Sequence, residues 1–142
     1  MAPIPYWAYN NRKDLSSLVV VEYKKLGNSK YIKGRSFEYK VRNYLLDRGY
    51  WVIRAAGSKG CADLVALAPA HYTHRILLVS CKTIGIVPSI EKNELYTTAV
   101  RVDALPIIAE PQPLKGSKIK FSRLREHKVC GLTELLASPI DI

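Results

Sequence analysis

The chain has 142 residues, with 22 Lys and Arg against 12 Asp and Glu, a formal net charge of +10. That length suits one compact domain with a real core. The basic excess favours a polyanionic partner, most often nucleic acid, although an ordinary basic soluble protein carries the same balance. Three cysteines without a C-x-x-C pair argue against a disulfide framework or a zinc knuckle, and no stretch reads as a signal peptide or a membrane span. An intracellular, soluble protein with no membrane partner is expected.

In chain order, residues 1–32 read as an N-terminal extension. It carries Pro3, Pro5 and the aromatic cluster Tyr6, Trp7 and Tyr9 ahead of Arg12 and Lys13. This arm has the composition to stack on or clasp DNA; docking on its own domain or on a second copy fits equally well. Asp14 is placed to cap a helix from Leu15 to Leu26, but Val19-Val20-Val21 weakens that expectation because β-branched residues are stiff in helices. A clearer helix runs from Ser36 to Asp47, with Phe37, Val41, Tyr44 and Leu45 at helical spacing and Gly49 at the left-handed cap. Strands are predicted over Tyr50–Ala56, Asp63–Leu67 and Ile76–Lys82, the first two separated by the turn Gly57-Ser58-Lys59-Gly60. Ser89–Asp103 is predicted as a helix that faces the sheet through Leu95, Ala99 and Val102. Pro106–Ala109 and Lys118–Leu124 follow as strands, and Thr133–Ala137 is a short helical candidate in a C-terminal tail, residues 127–142. The order predicts an α/β protein with a mixed five-stranded sheet flanked by helices.

The chemistry sits on the second and third strands. Asp63 opens the run Asp63-Leu-Val-Ala-Leu, and Ile76-Leu-Leu-Val leads into Ser80-Cys81-Lys82. Alternation along a strand sends residues 80 and 82 to one face and Cys81 to the other. A carboxylate at one strand end and a lysine at the end of its partner suit phosphodiester hydrolysis. That reaction needs an activated water and neutralisation of charge on the phosphate. Mg²⁺ takes oxygen ligands and keeps several waters, so Asp63 and the backbone carbonyl of Cys81 would be ligands, with Lys82 as the positioned cation and Glu38 on the preceding helix within reach. The departure is Ser80, where such a site wants a carboxylate. Alone, the Asp…x-x-Lys pattern is common by chance, and Glu38 is also spaced for a local pair with Arg42. His71, His74 and His127 have no zinc-like spacing, and Cys61 and Cys81 read as small buried apolar groups.

Taken in register, Lys33-Gly34, Glu38, Ile53-Arg54-Ala55-Ala56-Gly57-Ser58, Asp63-Leu64-Val65-Ala66 and Ser80-Cys81-Lys82 resemble the archaeal-type Holliday junction resolvases, also found in some viruses. These are members of the PD-(D/E)xK nuclease superfamily. The resemblance implies a restriction-endonuclease-like nuclease domain over residues 33–126, a homodimer, and Mg²⁺ (or Mn²⁺) as cofactor. Four-way junction DNA would be the substrate, with no small-molecule substrate. It implies that Asp63 binds metal, Lys82 acts in hydrolysis, Glu38 is an essential acidic residue and Ser58 contributes from the Gly57–Gly60 loop. Lys33, Arg35, Arg54 and Lys59 would contact DNA. Ser80 stands where the family has a glutamate ligand: either a substitution that disables cleavage or a variant in which Glu38 or water fills the gap. Three rival readings follow: a protein that grips branched DNA without cutting it, a related endonuclease acting on duplex DNA, and, more weakly, a basic structural protein of a ribonucleoprotein.

Overall fold

The computed structural model describes residues 29–55, 60–73, 75–83, 86–112 and 118–142. The expected helix Leu15–Leu26 and the aromatic arm lie outside them, as do Ser58, Lys59 and His74. The chain divides into two compact units, Met1–Ile32 and Lys33–Ile142, and the second holds the sheet.

Helix α1 (Ser29–Leu46) begins earlier than the sequence suggests and runs through Gly34. Its apolar positions Phe37, Val41 and Leu45 recur every four residues and are buried. Gly49, at φ +82°, ends it. The Gly49 N–H donates to the Leu46 carbonyl and the Tyr50 N–H to the Leu45 carbonyl, so the last turn closes in a Schellman motif. A Cβ at Gly49 would meet Pro69 Cγ at 3.3 Å as well as a left-handed backbone. Gly49→Ala is therefore expected to lower the unfolding free energy by about 1–2 kcal/mol, read from urea denaturation.

Six strands form one mixed sheet in which the spatial order equals the chain order: β1 (Trp51–Arg54), β2 (Leu64–Leu67), β3 (Ile76–Cys81), β4 (Leu105–Gln112), β5 (Lys118–Val129) and β6 (Leu132–Pro139). All neighbours pair antiparallel except β3 and β4, which are parallel. Helix α2 (Ser89–Arg101) connects those two, because parallel neighbours need a crossover. Alternation along the strands then builds two cores. On one face Leu64, Leu77, Val79, Ile107 and Phe121 pack with α1; on the other Leu78, Ile108 and Leu124 pack with Leu95 and Ala99 of α2.

The C-terminal part corrects the sequence reading. Thr133–Ala137 is not helical but belongs to β6, which makes the sheet six-stranded, and β5 extends beyond Leu124 to Val129. Cys130 and Gly131, both at positive φ, form a two-residue turn of the kind that matches strand twist. They fix the register Val129↔Leu132 through Ser122↔Pro139. Pairing with β5 satisfies a backbone whose residues, Leu-Thr-Glu-Leu-Leu, suit a helix by composition.

Candidate active site

Asp63 lies in the bend just before β2 and is fixed on three sides. Its N–H donates to the Val79 carbonyl (2.9 Å), its carbonyl accepts from the Ala55 N–H (2.9 Å), and its Oδ2 accepts from the Cys81 N–H (2.7 Å). Bonds to Ala55 and to β3 thus fix the Asp63 backbone, and β3 also holds its carboxylate through the Cys81 N–H. Burial raises its pKa above the ordinary carboxylate value; the Cys81 N–H opposes the shift, Glu38 adds to it, Lys82 opposes it and Glu91 adds again. A carboxylate so surrounded lacks compensating positive charge.

Ser80 and Lys82 stand on the α2 side of β3, as alternation requires, and share a cleft of about 330 Å³ with Asp63. Ser80 is only 7% exposed. The Lys82 N–H is bonded to the Ala109 carbonyl of β4 (2.9 Å), which continues the parallel ladder past β3 and anchors the lysine's backbone. Cys81 faces the α1 core. Burial first, then the charges of Asp63 and Glu38, pushes its thiol pKa far up, so it is a packed thiol and not a nucleophile.

Two acidic residues of the cleft were missed in the sequence: Glu91 and Glu94 of α2. Glu91 Oε2 accepts a hydrogen bond from Lys82 Nζ. The signal was present, since Glu91 sits one turn before Leu95 and two before Ala99, both buried, and so extends the stripe that docks on the sheet. Gly60 and Cys61 complete the cleft.

Glu38 does not line this cleft. It pairs with Arg54 (Nε to Oε2, 2.7 Å) rather than with Arg42, the two side chains being 25% and 18% exposed for arginine and glutamate. Arg54 also lies 5.5 Å from the Tyr39 ring centre, and Arg35 lies 5.8 Å from it. The hydrogen bond and charge of Arg35, with weaker help from Arg54, pull the Tyr39 phenol pKa down. Glu38, Arg54, Tyr39 and Arg35 thus form one cluster beside Asp63, while Lys33 is exposed on α1.

The carboxylates of Asp63, Glu91 and Glu94 and the Ser80 hydroxyl give the cleft oxygen donors, which suit a hard cation. Among the described residues no three His, Cys, Asp or Glu side chains gather closely enough to hold a metal by themselves. Mg²⁺ commonly takes one or two carboxylates and completes its shell with water and carbonyl oxygen. Asp63 with a second oxygen donor from the cleft fits that pattern.

The family model for archaeal Holliday junction resolvases (Hjc) matches residues 29–109, from the start of α1 into β4. The chain belongs to this resolvase family. A similar solved structure is the Holliday junction resolvase of the archaeal hyperthermophile Archaeoglobus fulgidus. It shares 25% identity and a TM-score of 0.53 over 68% of this chain and 79% of the other. No curated protein sequence matches the chain. The family match ends within β4, so β5 and β6 lie beyond it, whereas α1, Asp63, Ser80, Lys82 and α2 all fall inside. Among the described residues no helix is long and apolar enough to cross a membrane.

Proposed function

We propose that the protein is a structure-selective DNA endonuclease that resolves four-way junctions as a homodimer by metal-dependent phosphodiester hydrolysis. The observation that carries this reading is the single cleft shared by Asp63, Ser80 and Lys82, beside the basic cluster of Arg54 and Arg35, in a resolvase-family fold. Asp63, the backbone carbonyl of Cys81 and a further cleft oxygen would hold Mg²⁺ or Mn²⁺. Bound there, the ion supplies an acidified water and neutralises charge on the phosphate. The protein's own groups do the rest. The Asp63 carboxylate is oriented before substrate arrives by the Cys81 N–H. The Lys82 ammonium, in the same cleft as Asp63, would stabilise charge developing on a phosphate oxygen and so favour the transition state over the ground state. Arg54, freed from or shared with Glu38, contacts the backbone next to the scissile bond, with Arg35 and Lys33 extending that contact. A two-fold dimer would set two such clefts against the near two-fold symmetry of the junction, and selectivity would come from their spacing and not from base contacts.

Two features of the site favour a second reading. With a neutral Ser80, and with Lys82 engaged by Glu91, the chain would grip branched DNA and cut it slowly or not at all. The deciding experiment uses an end-labelled four-way junction and a duplex of equal length with Mn²⁺. Paired nicks in opposed strands of the junction, absent from the duplex, are expected. Tight junction binding without nicks would establish the binding reading, and equal cutting of both would point to a duplex endonuclease.

A further inference from the structure

We infer that Glu91, from helix α2, supplies the second acidic ligand that β3 lacks at Ser80. The inference rests on the nuclease reading and deepens it.

The position of Glu91 is dictated by packing. Leu95 and Ala99 are buried on the sheet, against the face that carries Leu78 and Ile108. One turn toward the N-terminus of α2 the same stripe reaches Glu91; two residues beyond Leu78 on β3 the same face reaches Ser80. The two stripes run out of apolar residues together, and where they do, the cleft begins. Ser80 is a short hydroxyl in the wall of that cleft and is more than nine-tenths buried. A longer acidic side chain at position 80 would occupy the same cleft that Glu91 enters from α2.

Glu91 also touches the lysine that a carboxylate at position 80 would neighbour, through its Oε2 and Lys82 Nζ. Its other carboxylate oxygen is left for a cation shared with Asp63. The side chain is 47% exposed, so it has the freedom to turn from Lys82 toward an ion. Two acidic ligands, Asp63 and Glu91, match the number that Mg²⁺ takes from proteins, with water and carbonyl oxygen filling the shell. The site is thus assembled across two elements, a strand end and a helix, where a single strand would otherwise provide both groups.

The test is Mn²⁺ affinity of the full-length protein, followed by electron paramagnetic resonance and titration calorimetry without DNA, with junction nicking recorded in parallel. Glu91→Gln is expected to weaken Mn²⁺ binding at least about ten-fold, whereas Glu134→Gln on β6 leaves it unchanged. The Ser80→Glu/Glu91→Gln double variant is expected to recover the affinity, because the carboxylate returns from the strand side. Repeating Glu91→Gln in a Lys82→Met background separates ligation from simple neutralisation of Lys82: the loss persists if Glu91 is a ligand. Unchanged Mn²⁺ affinity in Glu91→Gln, or a loss that vanishes in the Lys82→Met background, overturns the inference even if the wild type nicks junctions. Mn²⁺ binding that depends on Glu91 in a protein that nicks no junction upholds the inference and removes the nuclease reading instead.

Discussion

Ser80→Glu is expected to raise the single-turnover rate of junction nicking by about 10²–10³-fold, the range seen when one group that stabilises a transition state is lost or gained. The backbone needs no change. Ser80 already faces the cleft from β3, two residues before Lys82, and the cleft of about 330 Å³ offers room for the longer side chain. A neutral hydroxyl is a weak ligand for a hard cation, whereas a carboxylate on β3 adds an acidic ligand that does not have to turn away from Lys82 as Glu91 does. The same substitution places negative charge near Asp63 and Glu91, so the metal-free variant is expected to melt below the wild type and to recover on adding Mn²⁺. Binding to the native state alone raises stability with ligand concentration. A nicking rate indistinguishable from wild type, with junction binding intact, would remove position 80 from the site.

Asp63→Asn is expected to abolish nicking, a loss of at least about 10³-fold, while making the metal-free protein more stable at neutral pH. The sign follows from the raised carboxyl pKa, whose main cause is burial. A group whose pKa is higher in the folded state contributes stability that is fully present below its unfolded pKa and lost as pH rises through the folded value. As pH rises through that raised value, the cost of the buried charge is progressively felt. Asparagine can still accept the Cys81 N–H with its side-chain oxygen, and it carries no charge to desolvate. The melting temperature of Asp63→Asn in EDTA should therefore exceed that of the wild type at pH 7, and the gap should close as pH falls toward the ordinary carboxylate range. Adding Mn²⁺ should reverse the order by stabilising the wild type only. A lower melting temperature for Asp63→Asn in EDTA at pH 7 would mean that the Cys81 hydrogen bond outweighs the burial cost.

The two results together would describe a cleft that spends stability on function. Asp63 is held where burial works against its charge, and Lys82 is paired with a glutamate from another element. Strained or uncompensated groups of this kind concentrate at catalytic sites.

Much of this was legible in the chain itself because it depends on neighbours in sequence. Phe37, Val41 and Leu45 at four-residue spacing, closed by Gly49, define α1 without reference to the rest of the protein. The apolar runs Leu64–Leu67 and Ile76–Val79 define β2 and β3, and the two-residue period along β3 puts Ser80 and Lys82 on one face and Cys81 in the opposite core. Tertiary structure decided the rest, because each remaining feature is a choice among partners far apart in the chain. Glu38 had a local partner in Arg42 and took Arg54, which the sheet brings alongside at 2.7 Å. Thr133–Ala137 has the composition of a helix and became β6, since the Cys130-Gly131 turn offered it the open edge of β5. Glu91 is an unremarked surface residue in the sequence. Burial of Leu95 and Ala99 against the sheet is what carries it to Lys82 and into the cleft beside Asp63, because a helix that must bury one stripe has no freedom over where the rest of that stripe points.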